Sequence, residues 1–409
     1  MSALPPSASA SRSLPYAVLV LLVGLIVGIT MGRAQSMGLY QLPVITALGI
    51  GREPFSLMMA ITLLLMGAGS PFSGALIDKY GARWVVAFCV LCTIAGLYAL
   101  YAVSSVTGLI IAGVLMGIGV SGTGVTSLVG VVGRLAPPEK RMAAIASVGM
   151  AAGIGGFVAL PVMHGLIEAF GWENSLLWLM GIVAALILFA WPLDRKPDTA
   201  GGPVRTQTVK EALGEAFRHP SYWMLTAGFF VCGFHVAFIT VHLPAYTADL
   251  LMPSWVGPYA LMLVGIANII GTFIVGQSGR WLQKRRALSL IYFGRSVIFA
   301  GFLLLPMTPA TVIILSGLLG LFWLSTIPPT SGLVATFFGT TWMSMLFGIV
   351  FFSHQVGSFL GVWLAGRLYD MTGSYNAMWW ISIALGIASG LIHWPIKEKP
   401  VARLAAATG

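Results

Sequence analysis

Apolar stretches of transmembrane length recur along the whole chain, separated by short polar segments. At about 1.5 Å of rise per residue, each stretch can cross a hydrocarbon core of roughly 30 Å as a helix. Backbone groups in a bilayer must bond within their own segment, so we predict twelve helices. The stretches are 15–40, 54–77, 84–103, 107–132, 142–167, 174–192, 221–247, 255–279, 287–306, 310–335, 343–366 and 376–395.

The longest polar interval divides these helices into two sets of six. We therefore predict an all-α integral membrane protein with bundles over 15–192 and 221–396, joined by a cytoplasmic linker over 193–220. Tails of 1–14 and 397–409 flank the bundles. Two similar six-helix halves are what a rocking-bundle transporter needs, with its substrate site at the midplane between them.

Composition supports this interpretation. The 409 residues are 58% hydrophobic and only 8% charged, and the mean hydropathy is +0.92, whereas soluble domains carry about a quarter charged residues. The net charge of +10 lies in short loops beside apolar segments, so it does not indicate a nucleic-acid partner. The sequence has no Walker A glycine–lysine loop. We expect neither an enzyme nor a bound cofactor or metal.

The distribution of basic residues predicts the orientation. With the N-terminus inside, eighteen of the 22 Lys and Arg fall in inside segments, and the outside loops hold only Arg52 and Arg367. Basic residues concentrate on the cytoplasmic side of short loops. We therefore predict a protein of the cell inner membrane with both termini in the cytoplasm.

A short segment of charged residues and glycines lies between the second and third apolar stretches. Its acidic residue can sit against a helix end or an arginine, and its basic residues can face anionic headgroups. The segment resembles the signature loop of the major facilitator superfamily, G-x-x-x-D-[RK]-[FY]-G-x-R, between helices 2 and 3. The resemblance implies a twelve-helix transporter in which this loop is a conformational switch. The matching residues are Gly74, Asp78, Lys79, Tyr80, Gly81 and Arg83.

Two arginines remain inside the predicted helices. Arg295 lies nine residues beyond Arg286, about 14 Å into the core and near the midplane. Arg33 lies about 27 Å from the start of helix 1, near its outer boundary, where it could snorkel to headgroups. Every carboxylate falls in a loop or at a helix end. Burying a cation without a fixed partner costs free energy, and a bound anion would relieve that cost. We therefore predict an anionic substrate. The alternative for Arg295 is a structural charge bound to helix-end carbonyls.

Polar residues in the same helices extend this candidate site. Gln35 follows Arg33, and Gln355 follows His354 near the middle of helix 11. Histidine titrates near neutral pH, so His354 or His235 could couple protons; neutral histidines bonded between helices are the alternative. Asn268 could line the same cavity or merely hold helices together.

A second resemblance narrows the family. The segment Lys140–Arg141 leading into Ala151–Gly153 resembles the monocarboxylate transporter family. Residues Phe217–Trp223, entering helix 7, resemble its bacterial members and the bacterial oxalate:formate antiporter. The resemblance implies that His354 occupies the place of a substrate-binding lysine in helix 11. It also implies a carboxylate-binding arginine near Thr272, where this chain has none, and Arg295 is the candidate to replace it.

These observations together predict a secondary transporter of a small organic anion, a mono- or dicarboxylate. Transport would proceed by alternating access, with proton coupling or exchange. One alternative is an efflux antiporter for amphipathic compounds, weakly supported by the glycine-rich helix 5. A second alternative is a membrane sensor that binds a ligand without moving it, although the sequence shows no added signalling domain.

Overall fold

The computed structural model describes residues 15–136, 140–193, 207–339 and 341–406. The predicted tail 1–14 and residues 194–206 of the predicted linker 193–220 lie outside the described residues, as does the side chain of Asp78. The described residues form helices joined by short turns. Their bounds are α1 Tyr16–Ser36, α2 Gln41–Leu48, α3 Arg52–Tyr80, α4 Ala82–Tyr101, α5 Val106–Thr123, α6 Val125–Leu135, α7 Arg141–Ala190, α8 Val209–Phe217, α9 Pro220–Asp249, α10 Val256–Ser278, α11 Lys284–Leu304, α12 Pro309–Leu321, α13 Ile327–Phe338, α14 Met343–Thr372, α15 Asn376–His393 and α16 Ala402–Ala406.

Ten of the described helical segments are long and apolar enough to span a bilayer. One of them, α7, bends at Gly171, whose φ of 79° and ψ of 162° break the helix into two crossings. The shorter apolar helix α12 continues through a break into α13 and supplies a further crossing. These segments account for the twelve crossings that the sequence predicts.

Crossing 1 is longer than predicted. A short 3₁₀ turn, Met37–Tyr40, joins α1 to α2, and the apolar helical segment runs from Tyr16 to Leu48. Arg33 is therefore about 26 Å from Tyr16 and about 22 Å from Leu48, close to the middle of the crossing. The expected position at the outer boundary was wrong, because the helix does not end near Gly38.

Crossings 4 and 10 are both interrupted. In crossing 4, α5 and α6 meet at Gly124, whose backbone is extended (ψ 173°). In crossing 10, residues 322–326 separate α12 from α13, which begins with the pair Pro328–Pro329 near its first turn. Breaks within a bilayer are tolerated where protein groups satisfy the freed backbone, and they often mark substrate sites in transporters.

The crossings pack as two groups. Crossings 1–6 share one hydrophobic core, and crossings 7–12 form two further cores. Between the groups, α3 packs against α14, α7 against α10, and the turn Met37–Tyr40 against α9. A side chain at Gly38 would meet the carbonyl oxygen of Thr240 on α9 at 2.7 Å, so glycine is needed for this close approach.

The described hydrogen bonds between the two groups lie near one end of the protein or near the middle of the crossings. We call the end of the bundle that carries Arg52, Asp249 and Asp370 the Arg52 end. The opposite end, which carries residues 16 and 393, is the tail end. Arg52, Glu53 and Ser56 at the start of α3 bond to residues of the second group, and Ser254 bonds to Glu168. The two groups are therefore joined at the Arg52 end.

The described part of the linker contains a short amphipathic helix at the tail end. Thr208 and Glu211 form a capping box at the start of α8. The backbone N–H and the hydroxyl of Thr208 bond the carboxylate and hold the pKa of Glu211 below its ordinary value. Arg403 pairs with Glu215 at 3.2 Å, so α8 and α16 lie together at this end.

Candidate functional site

The break in crossing 10 is the most polar feature at mid-depth in the second bundle. Residues 322–326 leave the helical path, so carbonyls at the end of α12 lose their partners within the helix. Asn268 on α10 accepts a hydrogen bond from the backbone N–H of Leu324 at 2.8 Å. Ser325 donates to the carbonyl of Leu321 at 2.7 Å. Asn268 from a neighbouring crossing and Ser325 within the break therefore bond backbone groups at the break.

Arg295 on α11 supplies the charge at this break. Its side chain is fully buried, and Nε and Nη2 donate to the carbonyl of Phe322 at 3.1 and 2.6 Å. Nη2 also donates to the carbonyl of Trp323. These bonds match the structural role that the sequence left open for Arg295. The third nitrogen, Nη1, is buried without a hydrogen-bond partner among the described residues.

Cys232 on α9 connects Arg295 to His354. The Arg295 Nη2 lies 3.5 Å from the Cys232 sulfur, and the Thr326 hydroxyl lies 3.3 Å from it. His354 lies next to the same sulfur. The structure therefore brings Arg295 and His354 together, as the sequence predicts, around a thiol that no sequence pattern singled out. A lone cysteine in an apolar helix has the same pattern as an ordinary packing residue.

Gln355 carries this polar cluster to the first bundle. The His354 Nδ1–H donates to its side-chain oxygen at 2.9 Å, and its amide nitrogen donates to the carbonyl of Leu63 on α3 at 2.8 Å. A side chain at Gly67 would collide with Gln355, so the two crossings are in close contact here. We call Arg295, Cys232, Thr326, His354 and Gln355 the mid-depth cluster.

The other predicted histidine lies apart from this cluster. His235 is buried among α9, α11 and α15, and its Nε2 donates to the carbonyl of Ser382 at 2.9 Å. Its ring packs edge-on against Phe299. This contact pattern is that of a histidine bonded between helices, the alternative that the sequence left open.

The predicted amides differ in their surroundings. Asn268 is bonded to the break, as described above. Gln35 is half-buried and lies against Gly156 on α7. It belongs to the first bundle, whereas Arg295 and His354 belong to the second.

Arg33 does not join Arg295 and His354. It lies against α7 in the first bundle, and its side chain is 2% exposed, so it does not snorkel to headgroups. All three of its guanidinium nitrogens are buried without a hydrogen-bond partner among the described residues. The predicted set of substrate-binding residues is therefore divided between two places.

The signature loop lies at the tail end. Gly81 ends α3 with a φ of 90°, a conformation that favours glycine. Lys79 and Tyr80 are exposed, and the Arg83 guanidinium lies 4.9 and 4.6 Å from the ring centres of Trp84 and Trp191. The prediction that rests on the carboxylate of Asp78 lies outside the described residues.

The sequence did not reveal a second polar cluster at the Arg52 end. Arg52, 5% exposed, binds both oxygens of Asp249 at 2.9 and 2.5 Å and donates to the Tyr375 hydroxyl at 2.7 Å. Its guanidinium lies 3.6 Å from the ring centre of Tyr369. The backbone N–H groups of Arg52 and Glu53 each donate to Asp370 at 2.7 Å. The sequence signal that could have indicated this cluster is the basic residue at the start of crossing 2 and the acidic residues at the ends of crossings 7 and 11.

His242 extends the cluster at the Arg52 end toward the middle of the crossings. Its Nδ1 accepts from the Tyr375 hydroxyl at 2.9 Å, and its Nε2 donates to the carbonyl of Val362 at 3.0 Å. Ser56 bonds Gln41 at 3.1 Å and lies 3.4 Å from the same Nε2. The network links the two bundles through buried groups. We call Arg52, Asp249, Tyr375, Asp370 and His242 the Arg52 cluster.

The carboxylates that the structure describes lie at the ends or bend of the long helices, in the short helix α8 or in the segment after α15, away from the mid-depth cluster. The mid-depth cluster thus combines a permanent cation with an imidazole, a thiol, a hydroxyl and an amide. Such a set favours an anion electrostatically. The described carboxylates are Glu53, Glu168, Glu173, Glu211, Glu215, Asp249, Asp370 and Glu398.

The fold and these clusters define a polytopic helical membrane protein built from two bundles. Residues 21–362 match the Major Facilitator Superfamily, and the chain belongs to that family. It is a multi-pass membrane protein of a family of transporters and not of enzymes, and the resemblance of the signature loop is confirmed.

Curated relatives include named monocarboxylate transporters. Monocarboxylate transporter 12 of Xenopus laevis is 28% identical over 64% of this chain and 65% of its own length. The MFS-type transporter YcxA of Bacillus subtilis (strain 168) is 26% identical over 90% of this chain and 92% of its own length. The chain spans less than two thirds of the length of each of the first monocarboxylate transporter 12 proteins that it matches.

Solved structures show the same fold. A bacterial homolog of the human lysosomal transporter Spinster, in an inward-facing and occupied conformation, superposes with a TM-score of 0.76. The alignment covers 97% of this chain and 98% of that chain, at 13% sequence identity. The twelve-helix architecture predicted from the sequence is therefore that of the family.

Proposed function

We propose that the protein transports a small organic anion, a mono- or dicarboxylate, by alternating access between its two bundles. The observation that carries this proposal is Arg295, a permanent charge at mid-depth, one of whose nitrogens has no hydrogen-bond partner in the described part of the chain. A buried charge is expensive unless it is compensated, and a bound carboxylate would compensate it. The names of several relatives support the same substrate class.

The mid-depth cluster supplies the residues of the proposed site. The Arg295 Nη1 would donate to the substrate carboxylate, and His354 would contribute a second donor. Gln355 and Asn268 would orient the anion after exchanging their present partners, and Gln35 would approach from the first bundle. Because the break in crossing 10 already lacks regular backbone bonds, such an exchange requires no further unwinding.

The Arg52 cluster supports the alternating-access part of the proposal. With both termini in the cytoplasm, as the basic loops suggest, the Arg52 end faces outward. The bundles are bonded at that end, so this state is closed to the outside. Release of the Arg52 cluster would then accompany opening outward, while the signature loop at residues 74–83 would close the cytoplasmic side.

Uptake into proteoliposomes tests the proposal directly. We expect purified protein to move labelled mono- or dicarboxylates and not cationic amphiphiles, because no described carboxylate lies at mid-depth to receive a cation. Empty liposomes are the control. Saturable binding of a carboxylate without movement would instead identify a sensor, and movement of amphipathic cations alone would identify an efflux antiporter.

Proton coupling makes a separate prediction for His354. Its neighbours are Arg295, Cys232 and Gln355, together with the rings of Phe229 and Phe351 at 5.1 and 5.4 Å. We expect His354→Gln to flatten the dependence of transport on pH between about 5 and 8, where histidine titrates. His235→Gln is the matched control, because His235 is bonded to a backbone carbonyl away from the cluster. An unchanged pH profile in both variants would reject coupling through histidine.

A further inference from the structure

A groove of about 500 Å³ runs along the outside of the first bundle, between α1 and the two segments of α7. It extends along α1 from Val20 to Arg33, a length of about 20 Å. Its outer walls include Leu21, Ile154 and Val158, which are 60%, 55% and 55% exposed. The volume is within the range of known small-molecule sites, roughly 300–1,000 Å³. The groove is thus a long apolar channel on the exposed surface of the first bundle.

Small residues produce this shape. Gly24, Gly28 and Gly32 recur at every fourth position of α1 and face Ala151 and Gly155 on α7. A side chain at Gly28 would meet the carbonyl oxygen of Ala151 at 2.9 Å, so the two helices cross in close contact. Such close helix–helix contacts through small residues are common in membrane proteins. The glycines therefore let α1 and α7 touch along the floor of the groove, while the exposed side chains on either side form its walls.

Arg33 is the one charged residue among those that line the groove. It is 2% exposed, and its Nε, Nη1 and Nη2 are buried without a hydrogen-bond partner among the described residues. An uncompensated buried charge is strongly unfavourable. The other lining residues are apolar except for Ser147, so the groove itself offers no compensating anion.

We propose that this groove binds a long-chain monocarboxylate, with its hydrocarbon chain along α1 and its carboxylate on Arg33. The apolar walls match the chain, and the guanidinium matches the charge. The site is separate from the mid-depth cluster, so it does not depend on the proposed transport function.

The depth of Arg33 favours this occupant over a phospholipid. Arg33 is near the middle of a crossing whose ends are about 26 and 22 Å away. Phospholipid phosphates lie at the edges of a core about 30 Å thick, roughly 15 Å from its middle. A free single-chain carboxylate can follow the groove to this depth.

Binding of tritiated laurate to purified protein in neutral phosphatidylcholine nanodiscs tests the proposal. We expect saturable binding that decanoate displaces, and that acetate or methyl laurate does not. Arg33→Gln should weaken laurate binding by about ten- to a hundredfold, as expected for the loss of a charge-assisted hydrogen bond. Ile154→Trp should weaken it by filling the groove. Met150→Trp is the matched control, because Met150 is 58% exposed on the same helix but does not line the groove.

Three results would overturn the assignment. Laurate binding that is equal in wild type and Arg33→Gln would remove the arginine from the site. Equal displacement by methyl laurate would show that the charge plays no part. Displacement by phosphatidylglycerol added to the nanodiscs would assign the groove to an anionic phospholipid. Ile154→Trp keeps the test decisive if Arg33→Gln does not fold, because Ile154 is largely exposed.

Discussion

Replacement of Arg52 by glutamine is expected to separate the two bundles at the Arg52 end. The change removes the bidentate bond to Asp249 and the charge that lies over the ring of Tyr369. Arg52 is buried but Asp249 is partly exposed, so loss of the pair should cost between the about 0–1 kcal/mol of an exposed pair and the about 3–5 kcal/mol of a buried one. The closed state should then lose roughly tenfold or more in relative population. The loss falls on the closed state because the open state cannot form these bonds.

Distances between spin labels measure this shift. Labels at Ser104→Cys and Met371→Cys lie on exposed residues of different bundles at the Arg52 end. We expect the distance distribution to move to longer values in Arg52→Gln. Arg367→Gln is the matched control, because Arg367 bonds Glu53 across the same boundary at 3.1 Å but is half exposed. Exposed pairs contribute about 0–1 kcal/mol, so the control should change the distribution little. An unchanged distribution in Arg52→Gln would show that this cluster does not hold the end closed.

Replacement of Arg295 by lysine is expected to lower both stability and anion affinity. A single ammonium cannot reproduce the planar set of donors that now bonds the carbonyls of Phe322 and Trp323. Loss of a hydrogen bond from a charged group costs about 1.5–3 kcal/mol. Carboxylate affinity in the folded protein should fall by about ten- to a hundredfold, because a lysine that bonds these carbonyls has no second nitrogen placed like Nη1 to donate to the carboxylate.

Thermal unfolding and binding isotherms on the same purified protein separate the two effects. Thr308→Ala is a control for instability alone, since Thr308 caps α12 far from the cluster through the Thr311 N–H. It should cost about 1 kcal/mol and leave carboxylate affinity unchanged. Lower stability in Arg295→Lys with wild-type affinity would make Arg295 purely structural. Wild-type stability with lower affinity would show that the carbonyl bonds contribute little to folding.

The twelve crossings, the turn at the signature loop and the class of protein were predictable from the order of residues. Burial in lipid forces each apolar stretch to form its own helix, so position along the chain is enough to locate it. Gly81 illustrates this, because its place between two apolar stretches already indicates the turn that its positive φ confirms. Arg33 and Arg295 were also correctly recognised as charges inside the membrane.

The surroundings of those charges could not be predicted in the same way. Arg295 bonds carbonyls 27 and 28 residues away, and Arg52 bonds Asp249, 197 residues away. Such pairs depend on how crossings pack, and the sequence pattern of each crossing is compatible with several arrangements. The breaks at Gly124 and at residues 322–326 likewise need partners from other crossings, here Asn268 and Arg295. Local hydropathy decides which segments enter the membrane. Only packing between distant crossings decides which buried charges have partners and which, like Arg33, have none among the residues that the structure describes.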